Sequence, residues 1–396
     1  MSQVQDHLKS HPHWQAVESI YHTLESRGYK AFLAGGCVRD ALMGNQANDL
    51  DVATDATPTQ IEEIFEKTVS VGKSFGVMRV IQDGADIELA TFRTDGIYRD
   101  GRRPEGVVFS SPEEDAQRRD FTVNALFFDL EKDQVLDFVG GQLDLRNRIL
   151  RTVGDPEKRF QEDHLRLLRA ARFAGQLGFI IEDATLQALQ KMAAQVKTVS
   201  GERIRDEMYK LLRSGYADVG LRIMADTGLM AQLFPFRLRD NAWDSRRFTE
   251  IWQYFATFVK KAEFEELQKA LDLLKLSAKE RKSAEAAWKL WKDPSVFFAS
   301  RMGEQLQKYS LEYNRWAIAQ LSQEWHPKIS AVAQAWQEWG AVLPSPFLKG
   351  DDLKGQLTGE KIGQALALAY NLQVEKKLRT REEALDWLMN NVDSFR

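Results

Sequence analysis

Ala31-Phe-Leu-Ala-Gly-Gly-Cys-Val-Arg-Asp40 has the pattern of a short apolar strand, a double-glycine turn and the start of a helix. Gly35 and Gly36 let backbone N–H groups approach a phosphate closely, and a helix start adds partial positive charge. Arg39 offers a planar fork for phosphate oxygens. An ordinary strand-to-helix turn is the alternative interpretation, so this stretch alone indicates a phosphate site without requiring one.

A carboxylate pair follows about ten residues later in Asn48-Asp-Leu-Asp-Val52. In a strand, Asp49 and Asp51 project from the same face, because side chains alternate with a period of two. Neighbouring carboxylates repel each other unless a cation bridges them, and the spacing suits two Mg²⁺ ions. Glu88, on a second strand-like run, is a candidate third carboxylate. An Asp-rich surface loop and a solvated strand residue are the alternatives.

Two further motifs combine arginines with polar partners. Arg118 and Arg119 suit a polyphosphate, while Asp120 and Asn124 face one ribose if their segment is helical. A charged helix start explains this motif equally well.

The second of these motifs is Glu162-Asp-His-Leu-Arg166. The spacing predicts that Asp163 and Arg166 share a helical face and that Glu162, four residues before Arg166, holds its guanidinium. Surface ion pairs of this spacing are common on helices, so the motif is weak in isolation.

Composition limits the classes of protein that the chain can belong to. Its 396 residues with 43% hydrophobic content can fill two or three domains, and the formal net charge of −4 confines any nucleic-acid contact to local basic patches. A single cysteine, Cys37, excludes an internal disulfide and a zinc site of several thiolates. The start lacks the features of a secretory signal, and no stretch approaches the roughly 18 apolar residues of a membrane span, so we expect a cytoplasmic protein.

The texture of the chain changes near residue 150. Short β-rich runs alternate with amphipathic helices before it, and long runs with a helical period of 3.6 residues follow it. Leu343-Pro-Ser-Pro346 has the composition of a linker before a last helical piece. We therefore predict segments at 1–150, 151–215, 216–342 and 343–396.

Taken in order, these motifs resemble the class II tRNA nucleotidyltransferase and bacterial poly(A) polymerase family. The likeness is densest from Ala31 to Phe173 and includes Thr91-Phe-Arg-Thr-Asp95 and Asp100-Gly-Arg-Arg-Pro104. Gly350-Asp-Asp-Leu353 is similar to part of the family's C-terminal segment. The resemblance implies an α+β fold, with a polymerase-β-like nucleotidyltransferase head on a small mixed sheet, followed by an all-helical neck, body and tail.

The resemblance also implies the site and the reaction. It implies that Asp49 and Asp51 bind two Mg²⁺ ions and that Asp163 and Arg166 pair with the incoming base, while Glu88 stays a candidate catalytic carboxylate on its strand position alone. Asp163 accepts from the exocyclic amine of C or A and Arg166 donates to a ring acceptor, so CTP and ATP are the expected substrates and the tRNA 3′ end the expected acceptor. The implied nucleotide-binding residues are Gly35, Gly36, Arg39, Arg118, Arg119, Asp120, Asn124, Glu162, Asp163, Arg166 and Arg169.

The product is harder to assign, because CCA addition, addition of the terminal A alone and poly(A) synthesis share these motifs. A stretch that matches the family's flexible loop, with Asp95, Arg99, Asp100, Arg102 and Arg103, argues against a purely CC-adding enzyme. The last stretch of the chain lacks a basic run, which favours tRNA over poly(A) synthesis. CCA addition is our reading, and an A-adding enzyme with a CC-adding partner is the nearest alternative.

Two other classes of protein compete with this reading. One is a catalytically silent RNA-binding protein, and the other is a nucleotidyltransferase that modifies a small molecule. None of the six histidines is followed by Asp, so we predict no phosphohydrolase activity.

The helical second half offers candidate RNA contacts and a group of aromatic residues. Arg203, Arg205 and Lys210 are candidate RNA contacts, although we prefer a solvated helix face as the interpretation of each. Packing of helices is the preferred role for the tryptophans of the body over base stacking. These are Trp243, Trp252, Trp288, Trp291, Trp316, Trp325, Trp336 and Trp339.

Overall fold

The structure is a computed structural model that describes residues 3–96, 98, 101, 106–234, 262–292, 344–374 and 376–395, with only the backbone at Leu290 and Trp291. The chain divides into two compact units. The first unit comprises residues 1–246 and 273–275, and the second comprises 247–272 and 276–396. The segment boundaries predicted at residues 150, 215 and 342 stay predictions.

The first unit contains a mixed sheet. Its strands are β1 Ala31–Ala34, β2 Val52–Thr54, β3 Thr68–Gly72, β4 Val77–Gln82, β5 Ala85–Thr91, β6 Arg93–Asp95, β7 Val107–Phe109, β8 Leu126–Asp129 and β9 Gln134–Asp137. In the described residues, seven of them form one sheet in the order β3-β4-β5-β2-β1-β8-β9, and β6 pairs with β7 separately. Among the pairs of the large sheet only β2 and β5 run parallel, so the small mixed sheet is confirmed.

Helices accompany this sheet along the chain. They are α1 Gln3–Lys9, α2 Trp14–Ser26, α3 Gly36–Leu42, α4 Pro58–Ile64, α5 Pro112–Arg118 and α6 Gly141–Asn147. Successive residues of β1 belong to different apolar clusters, Leu33 to one and Phe32 to the other. Because side chains alternate along a strand, β1 is buried on both faces. The end of β1, where the double-glycine turn begins, is therefore rigidly placed.

The chain continues in helices after residue 150. They are α7 Pro156–Glu162, α8 Leu165–Leu177, α9 Asp183–Met192, α10 Gly201–Leu212, α11 Ala217–Asp226 and α12 Leu229–Leu233. A Cβ on Gly220 of α11 would lie 2.6 Å from the carbonyl oxygen of Ala171 on α8, so glycine permits the close approach of these helices. The neck is not wholly helical, because β11 Ile180–Ile181 pairs with β10 Ile149–Leu150.

The second unit is helical wherever it has regular structure in the described ranges. Its elements are α13 Phe264–Leu273, whose last residue belongs to the first unit, α14 Ala278–Lys292, α15 Glu360–Val374 and α16 Arg381–Asn391. Trp288 donates from its indole N–H to the carbonyl of Ala262 at 2.8 Å and packs on Phe264, which agrees with the predicted packing role. The other tryptophan side chains predicted to pack the body lie outside the described residues.

The described helices also bear on membrane insertion. None of them combines the length and apolar character that crossing a bilayer requires.

Candidate functional site

An arginine-rich cavity of about 550 Å³ opens in the first unit between the sheet and α8. Eight arginines and four carboxylates line it, which gives a formal charge of +4 in a chain of net charge −4. The charged lining consists of Arg39, Arg93, Arg118, Arg119, Arg166, Arg169, Arg172, Arg203, Asp51, Glu88, Asp120 and Asp163. Such a lining favours a strongly anionic ligand with several phosphate groups.

The double-glycine turn forms one wall of the cavity. Gly35 follows β1 with φ 74° and ψ −122°, a conformation that L side chains rarely adopt, and Gly36 begins α3. A Cβ on Gly35 would lie 2.9 Å from Nη1 of Arg119, so a side chain at this position would displace that guanidinium. The predicted strand, turn and helix start are all present.

Arg39 is buried behind this turn and held by the protein. Its Nε donates to Asp40 at 2.8 Å and its Nη1 donates to Oδ1 of Asn124 at 2.6 Å. The Asn124 amide in turn donates to Oδ1 of Asp120 at 3.3 Å. Arg39 thus lines the cavity in a fixed orientation.

Asp120 is the buried anchor of this network. Arg169 donates to its Oδ2 from Nε at 2.7 Å. Burial opposes ionisation of Asp120, but the guanidinium groups of Arg169 and Arg166 outweigh it and lower the pKa to about 2. Residues 120–124 are not an α-helix, because only Thr122–Asn124 form a 3-10 turn, yet the side chains of Asp120 and Asn124 do meet.

The acidic side of the cavity carries Asp51 and Glu88. The strand expected at Asn48–Val52 begins only at Val52, but Leu50 and Val52 are buried while Asp49 and Asp51 are not, so both carboxylates still share one face. Val52 pairs with Leu89 in the parallel ladder, which brings Glu88 beside Asp51. Asp49 does not line the cavity; it is exposed at its edge.

The carboxylates of Asp49 and Glu88 disfavour ionisation of Asp51, and the carboxylate of Asp49 also disfavours ionisation of Glu88. Burial raises the pKa of Asp51 to about 6, Glu88 and Asp49 add to this rise, and Arg119 opposes it. Burial also raises the pKa of Glu88, with Arg79 opposing and Asp49 adding. A divalent cation relieves repulsion of this kind, and carboxylate oxygens are the ligands that Mg²⁺ prefers. No ready cage of three or more His, Cys, Asp or Glu side chains occurs in the part of the chain that the structure describes.

Asp115 orients the paired arginines, and sequence reasoning missed it. Its carboxylate is buried and accepts from Nε of Arg118 at 2.8 Å and from Nε of Arg119 at 3.1 Å. It also accepts from the backbone N–H of Arg93 at 3.2 Å. Asp115 stands three residues before Arg118 and four before Arg119, which is the spacing of side chains that meet on a helix. That spacing is the signal that could have revealed it.

The predicted helical face shared by Asp163 and Arg166 is wrong. Helix α7 ends at Glu162, Asp163 is extended with φ −142° and ψ 106°, and α8 begins at Leu165. The helix breaks here because the Asp163 carboxylate accepts a hydrogen bond from the backbone N–H of Leu165 at 3.1 Å. This local bond competes with the backbone hydrogen bonds of a continuous helix. Asp163 and Arg166 nevertheless both line the cavity.

The predicted grip of Glu162 on Arg166 is present. Oε2 of Glu162 accepts from Nη1 of Arg166 at 2.5 Å, and from Nη1 of Arg159 at 2.8 Å. Nη2 of Arg166 donates to the carbonyl of Arg118 at 3.1 Å, which links the helical neck to the paired arginines.

Arg203 is not on a solvated face, contrary to the sequence expectation. It lines the cavity and forms two parallel hydrogen bonds with Asp163, at 3.1 and 2.7 Å. Arg93, Arg172 and Gln176 also line the cavity and were missed. Arg93 stands within the family-like stretch Thr91-Phe-Arg-Thr-Asp95, which could have marked it, whereas only the fold brings Arg172, Gln176 and Arg203 to the site.

Part of the expected loop can be followed. The Asp95 carboxylate lies 3.0 Å from Nε of Arg93 in an ion pair, and its Oδ2 accepts from the Tyr98 hydroxyl at 2.6 Å. The carbonyl of Gly101 accepts from the backbone N–H of His164 at 3.0 Å, so the loop touches the segment that carries Asp163. The other loop residues predicted to act, Arg99, Asp100, Arg102 and Arg103, lie outside the described residues.

Known proteins resemble this chain in both sequence and structure. The profile of the "Poly A polymerase head domain" matches residues 31–151, and that of the "Probable RNA and SrmB- binding site of polymerase A" matches residues 178–238. A CCA-adding enzyme of Bacillus pumilus is 35% identical over an alignment that covers 93% of this chain and 95% of the relative.

Solved structures give the same picture. The Bacillus stearothermophilus CCA-adding enzyme in complex with CTP superposes with a TM-score of 0.76 at 31% identity, covering 97% of this chain and 98% of that one. The Thermotoga maritima CCA-adding enzyme complexed with tRNA superposes with a TM-score of 0.66 at 21% identity, covering 98% of each chain. The second comparison bears on the fold alone.

Proposed function

Because the chain belongs to the family of the CCA-adding enzymes, which are nucleotidyltransferases, we propose that it adds CCA to the 3′ end of tRNA from CTP and ATP. The observation that carries the proposal is a single cavity lined by the double-glycine turn, acidic side chains, the paired arginines and the pair Asp163 and Arg166. These are the parts that transfer of a nucleotidyl group from a selected nucleoside triphosphate requires.

The triphosphate is proposed to lie against the basic wall of the cavity. Gly35 and Gly36 present backbone without side chains, and the guanidinium groups of Arg118 and Arg119 line the cavity, held in place by the Asp115 carboxylate and by the carbonyl of Asn124. Arg39, Asn124, Asp120 and Arg169 form the connected network beneath. Their proposed role is to bind the nucleotide and to hold the wall in place.

Asp49 and Asp51 are proposed to hold two Mg²⁺ ions, with Glu88 beside them. When bound, such ions polarise phosphoryl oxygens and lower the pKa of the attacking hydroxyl. The protein's own part is to place acidic oxygens at one side of the cavity and guanidinium groups at the other. The RNA 3′ hydroxyl then attacks the α-phosphorus in line and pyrophosphate leaves toward the arginines.

Base selection is assigned to Asp163 and Arg166. A carboxylate accepts from the exocyclic amine of C or A, whereas U and G present a carbonyl at that place and leave two acceptors facing each other. Glu162 fixes the guanidinium of Arg166, which supports its role as a donor of defined direction. The contact of Gly101 with His164 gives the loop a route to influence this pair when ATP follows CTP.

An A-adding enzyme and a poly(A) polymerase share the same head, so both were open from the sequence. Two relatives that match along nearly the whole chain, those of Bacillus pumilus and Bacillus stearothermophilus, are CCA-adding enzymes, and this supports CCA addition over both. A catalytically silent RNA-binding protein would not require the carboxylates, the arginines and the base-reading pair to line one cavity.

Substitution of the carboxylates tests the catalytic site. We expect Asp49→Ala and Asp51→Ala each to abolish nucleotide addition to tRNA, because each removes a proposed metal ligand, while the folded state persists because repulsion among the carboxylates is relieved. Addition of labelled CMP and AMP measures activity, and circular dichroism measures folding.

The matched control is Asp86→Ala, which removes an exposed strand carboxylate that pairs with Arg79 and does not line the cavity. This variant should keep full activity. Full turnover by either folded Asp49 or Asp51 variant would contradict the assignment.

A further inference from the structure

We infer that Arg203 is a positioning residue for base selection: it holds the Asp163 carboxylate so that one lone pair of Oδ2 alone is left to read the base. The inference rests on the proposed function, in which Asp163 accepts from the exocyclic amine of C or A. Arg203 lies on α10, forty residues beyond Asp163 in the chain, and both side chains line the cavity.

The contact between the two side chains is a two-pronged ion pair. Nη1 of Arg203 donates to Oδ1 at 3.1 Å and Nη2 donates to Oδ2 at 2.7 Å. The exposed fractions are 25% for the Arg203 side chain and 17% for that of Asp163, so water competes only in part. A planar guanidinium bound in this way fixes the plane of the carboxylate as well as its distance, which a lysine ammonium does not do.

Counting acceptor sites shows what remains for a ligand. A carboxylate has about four lone-pair sites, two on each oxygen. Arg203 uses one site on each oxygen of Asp163, and the backbone N–H of Leu165 uses the second site on Oδ1 at 3.1 Å. The remaining site lies on Oδ2, so the Asp163 carboxylate can accept a hydrogen bond from the base in one direction only.

Helix α10 is itself fixed relative to α8, which makes Arg203 a rigid support. Glu207, one turn after Arg203, is buried and accepts from Nε of Arg172 at 2.8 Å. A second guanidinium on α8, that of Arg169, lies 3.8 Å from the same carboxylate. Since Arg203 and Glu207 share one face of α10, that face is held at two points beside the base-reading segment.

The fixed Asp163 carboxylate distinguishes C and A from U and G. An amine of C or A that approaches Oδ2 finds an acceptor, whereas a carbonyl of U or G finds a fixed lone pair and an unpaired contact. Without Arg203 the carboxylate gains rotational freedom and can turn away from the carbonyl. Discrimination of C and A against U and G then weakens, while the acidic residues and the arginines of the triphosphate wall, Arg118 and Arg119, stay in place.

The test compares the ratio of kcat/KM for CTP and UTP on a tRNA acceptor in the wild type, R203Q and R203K. We expect R203Q to lower this ratio at least about tenfold, with a higher KM for CTP, and R203K to fall between because it keeps the charge but loses the two-pronged geometry. R203K also keeps the test decisive if R203Q folds poorly. R213Q, which alters an exposed arginine at the end of α10 paired with Tyr209, is the matched control and should leave the ratio unchanged.

A background without Asp163 separates positioning from general support. In D163A, R203Q should change the discrimination ratio no further, because its effect acts through the missing carboxylate. The inference would be overturned, with the wild type still adding CMP and AMP, by either of two results. One is an unchanged CTP-to-UTP ratio in folded R203Q and R203K, and the other is a fall in that ratio on adding R203Q to D163A as large as the fall in the wild type. A wild type that adds neither nucleotide would overturn the proposed function and this inference with it.

Discussion

At the scale of single residues, Asp115 joins the two arginines of the triphosphate wall to the strand that leads into the loop. Arg118 and Arg119 both donate to its buried carboxylate, and so does the backbone of Arg93 in β6. One side chain thus sets the direction of two guanidinium groups. We expect Asp115→Asn to raise the KM for CTP and ATP roughly tenfold, since charge-assisted hydrogen bonds are worth about 1.5–3 kcal/mol. Steady-state kinetics on a tRNA acceptor measures the change, with kcat less affected.

The control for this variant is Glu113→Gln, which removes an exposed carboxylate in the first turn of the same helix. It should leave KM unchanged. A folded Asp115→Asn enzyme with the KM of the wild type would show that the arginines do not depend on Asp115 for their orientation.

Asp120 gives a prediction for stability against pH. Arg169 and Arg166 hold its pKa at about 2, below the ordinary 3.8, in spite of burial. A depressed carboxyl pKa contributes stability above the unfolded value and loses it as the pH falls toward the folded value. We expect Asp120→Asn to lower the free energy of unfolding by about 2 kcal/mol or more, by the same amount at pH 8 and pH 5 and by less below pH 4.

Urea unfolding of the wild type and the variant at pH 8, 5 and 3.5 measures this difference. If the difference between the two proteins already disappears between pH 7 and pH 5, then Asp120 titrates far above the expected range and its pairing with Arg169 does not dominate.

Residues that a local pattern marks were predictable, and residues recruited from a distance were not. The double glycine, the Asp-x-Asp pair and the grip of Glu162 on Arg166 depend on short spacings, so the sequence contains them. Arg203 reaches Asp163 across forty positions, which only the packing of α10 beside α8 determines. Such a partner looks like any solvated helix arginine until the fold is known.

At the scale of elements, the turn between β1 and α3 depends on glycine for two separate reasons. Gly35 has φ 74°, and a Cβ there would lie 2.9 Å from Nη1 of Arg119. We expect Gly35→Ala to destabilise the fold by about 1–3 kcal/mol and also to lower kcat/KM for nucleotide addition by displacing Arg119. Thermal unfolding and initial rates measure the two effects.

Gly28→Ala separates these two effects. Gly28 also has a positive φ, 83°, but no heavy atom lies within 4 Å of a Cβ placed there. This variant should lose stability and keep its rate. An equal loss of kcat/KM in both variants would show that backbone strain, and not displacement of Arg119, causes the loss of activity in Gly35→Ala.

The main elements followed from periodicity, and the errors came from side-chain to backbone hydrogen bonds. The strands β1, β4, β5 and β7 were predictable from their apolar β-rich runs. The break after Glu162 was not, because the Asp163 carboxylate binds the N–H of Leu165 and interrupts a run with helical spacing. A period of 3.6 residues does not reveal such a competing turn.

At the scale of the whole molecule, positive charge is concentrated in the cavity that is proposed to bind the nucleotide. The net charge of −4 gave no sign of a nucleic-acid or nucleotide ligand, and the sequence therefore predicted local basic patches. In the first unit the cavity alone carries a formal charge of +4. The arginines that produce it are spread over 165 positions, from Arg39 to Arg203, so their convergence depends on the fold and was not visible as a basic run.

The product formed on defined tRNA transcripts distinguishes CCA addition from addition of A alone and from poly(A) synthesis. Transcripts that end before CCA and after CC are incubated with CTP and ATP, separately and together, and the 3′ ends are sequenced. We expect two C residues from CTP alone and complete CCA from both nucleotides on the first transcript, and a single A from ATP on the second. Addition of A only to the CC-ending transcript, or a long A tail on either, would contradict CCA addition.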